Sequence, residues 1–134
     1  MSEKADREPT RRELEILKVL WQRGRSSVRE VHRVLAVEEP DLAYNTIQTL
    51  LRIMEVKGLV SHEEEGRTFV YTARFTRDET ARRFLDRVFD GVASHLVSSL
   101  VSSERISVEE LDRIHVLIAE ARLRQGPAPG EGSR

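Results

Sequence analysis

Leu14, Ile16, Leu17, Leu20 and Trp21 recur at the spacing that lines one face of a helix, and the run closes at Gly24, a residue suited to the turn past a helix end. A helix over roughly Arg11 to Arg23 is predicted. Val28, Val31, Val34 and Leu35 repeat the pattern over a shorter span. It stops before Glu38-Glu39-Pro40-Asp41, whose proline disfavours helix in the residue ahead of it. Ile47, Leu50, Leu51 and Met54 then mark a third helix, from about Ala43 to a stop at Gly58. After it the period changes. Leu59 to Glu63 and Thr68 to Thr72 are β-prone runs enclosing Glu64-Glu65-Gly66-Arg67, which reads as a hairpin. Two strands alone are marginal, so the hairpin is expected to lean on the helices before it. Beyond Thr76 three more apolar stripes follow, from Ala81 to Phe89, from Val92 to Val101 and from Leu111 to Ala121, with Gly91 breaking the first from the second.

Four of these segments open with Ser or Thr followed three residues later by Glu: Thr10 with Glu13, Ser27 with Glu30, Thr76 with Glu79, and Ser107 with Glu110. In such a capping box the hydroxyl accepts a first-turn N–H and the carboxylate reaches back to the N–H of the cap residue. Four matches, each leading into helical periodicity, reinforce the helix assignments.

The predicted fold is mainly α with a small β-hairpin wing, a winged helix-turn-helix followed by a helical dimerisation domain. Residues 1–9 are expected to be disordered, 10–74 to form the winged helix, 75–123 the helical domain and 124–134 a disordered tail containing Gly126-Pro127-Ala128-Pro129-Gly130. The stripes holding Phe84, Val88, Leu96, Leu100, Leu111, Ile114 and Ile118 carry more apolar surface than one thin three-helix layer can bury, which points to a second copy.

In a winged helix the third helix enters the major groove and the wing reaches neighbouring backbone. Its face opposite Ile47, Leu50, Leu51 and Met54 carries Asn45, Thr46, Gln48, Thr49 and Arg52, side chains whose donors and acceptors match base edges. A solvent-facing stripe is the plain alternative. Such stripes favour Glu and Lys, however, and Asn45, Thr46 and Thr49 are poor helix formers that serve no purpose in helix stability. Tyr44 reads equally as a phosphate contact through its hydroxyl or as packing, and Arg67 sits on the wing as a backbone contact.

The chain has 134 residues with 22 Lys and Arg against 23 Asp and Glu, a net charge of -1, so the total gives no sign of a nucleic-acid partner. Residues 1–73 are no more basic than the rest, and position has to supply what the sum lacks. Arg25, Arg29 and Arg33 are assigned to the second helix, and Arg52 and Lys57 to the third, as candidate phosphate contacts. The length excludes a large multi-domain enzyme. There is no Cys, the four His share no ligand spacing, and neither a Gly-rich phosphate loop nor a nucleophile motif occurs, so catalysis, a metal and a cofactor are not expected. The apolar runs are too short for a membrane span and Met1 to Thr10 is too charged for a signal peptide, which leads to the expectation of a cytoplasmic protein.

Leu14-Glu15-Ile16-Leu17 through Leu20-Trp21, Val28-Arg29-Glu30-Val31, Ala43 to Leu51, Lys57-Gly58-Leu59-Val60 and Phe69-Val70-Tyr71 resemble the penicillinase-repressor (BlaI/MecI/CopY) family, over nearly the whole chain from Thr10 to Arg122. The resemblance implies a homodimeric bacterial repressor that binds inverted-repeat operators of β-lactamase or related resistance genes. It places recognition-helix contacts on Asn45, Thr46, Gln48, Thr49 and Arg52. It implies no copper-sensing cluster, because that branch uses C-terminal cysteines. It also implies relief by a membrane sensor protease that cuts the dimerisation domain within Leu96 to Val101, nearest Ser99-Leu100. The competing class is a winged-helix adaptor that binds another protein and shows no salt-dependent binding to duplex DNA.

Overall fold

The computed structural model of the chain describes residues 8–126, which divide into two compact units parting between Val88 and Phe89. The first unit is built from α1 (Arg11–Arg23), β1 (Ser26–Ser27), α2 (Val28–Ala36), α3 (Tyr44–Lys57), β2 (Val60–Glu65), β3 (Thr68–Ala73) and most of α4 (Arg77–Phe89). The second holds α5 (Ala93–Ser102) and α6 (Val108–Gln125). Residues 1–7 and 127–134, which include most of the expected tails, lie outside the described residues. Arg124 and Gln125 belong to α6, so helix extends into the segment assigned to the C-terminal tail.

The capping boxes at Thr10, Ser27 and Thr76 form in both directions. At Thr10, for example, the hydroxyl accepts the Glu13 N–H at 3.2 Å while Glu13 accepts the Thr10 N–H at 2.9 Å. At Ser107 the hydroxyl accepts the Glu110 N–H, and the Glu110 carboxylate takes the Arg113 guanidinium at 2.7 Å. The backbone of α3 stops at Gly58 because the next residue must turn left-handed. Gly58 has φ 85°, a left-handed conformation that costs a residue with a Cβ about 1–2 kcal/mol.

Ile16, Val31, Ile47, Leu51 and Met54 are fully enclosed where α1, α2 and α3 meet, and Val60 and Tyr71 close the core from the sheet. Each such side chain contributes about 1.5–3 kcal/mol by leaving water. Trp21 packs at the edge of this core and donates from Nε1 to the Phe75 carbonyl at 2.9 Å, fastening the chain beyond the wing to α1. Arg12 grips Glu39 through both guanidinium nitrogens at 2.8 and 2.7 Å, which ties the loop after α2 to α1 and holds the Glu39 carboxyl below its ordinary range.

The hairpin does not stand as two strands. Ser26 pairs with Tyr71 and Ser27 with Val70, so β1 adds to the free side of β3 and the sheet order is β1-β3-β2. Ser26 is completely buried, with its hydroxyl donating to the Gly24 carbonyl at 2.9 Å.

Glu30 gives a pH prediction. The Ser27 backbone N–H, then the Ser27 hydroxyl and Arg23, hold its folded-state pKa below the ordinary 4.5. Because the folded value is the lower one, this stabilisation is complete above about pH 4.5 and is lost as pH falls through the lowered value. Glu30→Gln is expected to flatten the acid limb of the stability curve below that point, measured by urea unfolding at several pH values. An unchanged acid limb would show that the cap carries none of it.

Candidate nucleic-acid interface

The starts of α2 and α3 and the tip of the hairpin face a common cleft of about 550 Å³, lined by Arg29 of α2, by Tyr44, Gln48 and Arg52 of α3, and by Arg67, Thr68 and Phe69 of the wing. The α3 residues stand four apart, so successive turns deliver them to one face. The opposite face holds the fully buried Ile47, Leu51 and Met54, which fix the helix against α1 and α2. Of the residues expected to touch DNA, the structure thus brings Tyr44, Gln48, Arg52 and Arg67 together. Asn45, Thr46 and Thr49 are exposed on the adjoining surface of α3 rather than in the cleft. Tyr44 meets His32 edge to face with centroids 5.8 Å apart, and His32 is itself anchored by Nε2 donating to the Leu42 carbonyl at 2.7 Å. Tyr44 therefore packs on His32 while remaining 42% exposed.

The charged residues depart further from expectation. Arg25 is not on α2; it precedes β1 and reaches Glu63 at 3.2 Å and Glu65 at 2.6 Å on the wing. This covers two of the three wing glutamates with positive charge. Lys57 is not available as a phosphate contact, because its ammonium lies 2.9 Å from both carboxylate oxygens of Glu13, which is 1% exposed. Arg29, Arg52 and Arg67, by contrast, have no ion pair among the described residues, and all three border the cleft. Phe69, absent from the sequence-level candidates, adds a partly exposed ring to the wing side. It shares a strand face with the buried Tyr71 but lies two residues nearer the hairpin tip, and the sequence carries no signal that separates it from its apolar neighbours.

In the second unit α5 and α6 bury no side chain within the chain. Of the residues expected at a dimer contact, Leu100, Leu111 and Ile118 are more than two-fifths exposed there, and Leu96 and Ile114 are half-buried. Phe84 and Val88, on α4 of the first unit, are also exposed at 39% and 47%. No helix among the described residues is long and apolar enough to cross a membrane.

Three helices with a hairpin closed by a short third strand, and a polar cleft between the third helix and the wing, make this a winged-helix protein. Residues 9–120 match the penicillinase repressor family, and the chain belongs to it. It is 29% identical to a penicillinase repressor of Bacillus licheniformis over 84% of this chain and 91% of that protein. It is 30% identical to the transcriptional regulator BlaI of Mycobacterium tuberculosis over 85% of each. To the methicillin resistance regulatory protein MecI of Staphylococcus aureus (strain N315) it is 21% identical over 79% of this chain and 89% of that one. A solved structure described as the complex structure of hsRosR-S4 shares the fold, with TM-score 0.52 and 20% identity over 94% of this chain and 100% of that chain. The protein is a DNA-binding transcriptional repressor and not an enzyme.

Proposed function

We propose that this repressor binds an inverted-repeat operator as a homodimer, controls β-lactamase or related resistance genes in the cytoplasm, and is relieved when a membrane sensor protease cuts α5. The observation that carries the operator reading is the cleft in which Gln48 and Arg52 of α3 stand beside Arg29 and Arg67. Gln pairs with adenine and Arg with guanine through two hydrogen bonds each, while guanidinium groups on α2 and the wing bind phosphate and set the register. Asn45 and Thr49, exposed beside them, extend the reading surface along the helix.

Dimerisation is supported by the uncovered apolar residues of α5 and α6, such as Leu100, Leu111 and Ile118. A two-fold pair presents two recognition helices, and half-sites in inverted order mirror that symmetry. With a net charge of -1 on each chain, a lone monomer has little general attraction to DNA, and pairing doubles the few well-placed arginines. The resistance assignment follows the names of the penicillinase repressor and methicillin resistance relatives. Ser99 and Leu100 lie inside α5, so a protease that needs extended substrate acts only after this helix locally unwinds.

Selection of bound fragments from random duplex DNA tests the proposal and is expected to enrich an inverted repeat. No enrichment at low salt would reject it in favour of a protein-binding adaptor. Sedimentation at micromolar concentration is expected to give a dimer, and a particle of monomer mass would remove the symmetric mode. Membranes carrying a cognate sensor should release a fragment beginning near Leu100, and intact chain under inducing conditions would reject cleavage.

A further inference from the structure

The last turns of α3 are joined to the wing through one imidazole ring. His62 on β2 donates from Nδ1 to both carboxylate oxygens of Glu55 on α3, at 2.7 and 2.9 Å. An ionised carboxylate only accepts, so Nδ1 carries the proton. The same ring stacks on Phe69 of β3, with centroids 4.1 Å apart and planes 18° apart, and its centroid lies 5.5 Å from that of Tyr71. Phe69 and its neighbours Thr68 and Arg67 form the wing side of the cleft. Glu55, His62 and Phe69 therefore make a continuous brace from the recognition helix to the wing residues that line the cleft with it.

We propose that His62 and Glu55 are positioning residues for operator binding, holding the wing against α3, and that the charge on His62 tunes operator affinity. The proposal rests on the DNA-binding reading given above. Histidine changes charge close to physiological pH. The neutral ring donates a hydrogen bond assisted by the carboxylate charge alone, and the protonated ring turns the same contact into an ion pair in which both partners are charged. The other groups around it are Arg52 of α3, whose charge reaches the neighbouring Tyr71, Tyr71 itself on β3, and Glu64, which shares the sheet face of His62 and lies opposite Phe69. Glu63 and Glu65 alternate onto the other face of β2, where Arg25 takes them. As pH falls the wing is held more firmly, and less order has to be imposed on Arg67 and Phe69 when DNA arrives.

The test uses the full chain with the inverted repeat obtained by selection, at constant ionic strength, from about pH 8 to about pH 6. Wild type is expected to tighten about fivefold per half-site across that range, the gain from turning a singly charged hydrogen bond into an ion pair. His62→Gln keeps a donor but cannot titrate, and Glu55→Gln removes the charge partner. Both are expected to bind more weakly and to lose that pH-dependent gain. Hydrogen exchange of the β2 and β3 amides in the free protein supplies a readout without DNA: wing protection, corrected for intrinsic rates, should rise toward low pH in wild type alone. Variants that keep the wild-type pH profile would overturn the proposal. If wild type binds no duplex at any pH, the DNA-binding reading fails by itself. Equal wing protection in wild type and both variants would then overturn the brace separately.

Discussion

Lys57→Met will lower the unfolding free energy of the first unit by about 3–5 kcal/mol, because it leaves the Glu13 carboxylate buried without its counter-charge. Glu13 is 1% exposed, and the Lys57 ammonium touches both its oxygens at 2.9 Å. Glu13 also accepts the Thr10 N–H, so it starts α1 while Lys57 ends α3, and the pair fastens one helix end to another. A small unit has about 5–15 kcal/mol in total, so the variant will be marginal at ordinary temperature. Urea unfolding followed by the fluorescence of Trp21, the only tryptophan in the chain, measures the loss. Glu13→Gln combined with Lys57→Met should recover most of it, since the neutral amide still accepts at the cap and no lone charge remains. A loss below about 1 kcal/mol for Lys57→Met would show that the pair behaves like an exposed one.

Arg52→Ala is expected to weaken operator binding by about 1–3 kcal/mol per half-site, and a two-fold complex feels the loss twice. The cause is positional: Arg52 stands two turns along α3 from Tyr44, lines the cleft, and has no ion pair among the described residues. Arg67→Ala should act differently. A wing arginine that binds phosphate weakens all sequences alike, and its removal lowers the salt slope by about one for each phosphate left without a cation. Arg23→Ala serves as the comparison, since Arg23 is already engaged with Glu30 at 3.4 Å and should leave both affinity and slope unchanged. Binding titrations against operator and random duplex at several salt concentrations separate the three outcomes. Equal losses at Arg52 and Arg23 would mean that net charge, not the cleft, drives binding.

These expectations show which parts of the molecule were legible in the chain. The helices were, because Thr10-Glu13, Ser27-Glu30 and the stripe Ile47-Leu51-Met54 act over one or two turns and need no distant partner. The polar face of α3 was legible for the same reason, since burying Ile47 and Leu51 dictates that Gln48 and Arg52 face away. Charged side chains were not. Arg25 and Lys57 look like Arg29 and Arg52 in sequence, and only the approach of Glu63, Glu65 and Glu13 from distant segments turns the first two inward to structural duty. β1 escaped notice because two serines have no periodicity to read. The brace through His62 likewise depends on a hairpin register that places Tyr71 and Phe69 around it, and a single polar residue within a strand does not announce that.

The two-residue strand β1 has a kinetic meaning as well. Ser26 and Ser27 precede α2, yet their partners Tyr71 and Val70 are made beyond two helices and the first strand of the hairpin. The loop closed by this pairing spans most of the first unit, so its entropy is lost before the interactions that reward it are complete. The hairpin can form early and locally, but its docking waits for the segment ahead of α2. The wing edge and the start of α2 are therefore expected to acquire and shed their amide protection together, as one cooperative block rather than as a loop that frays alone.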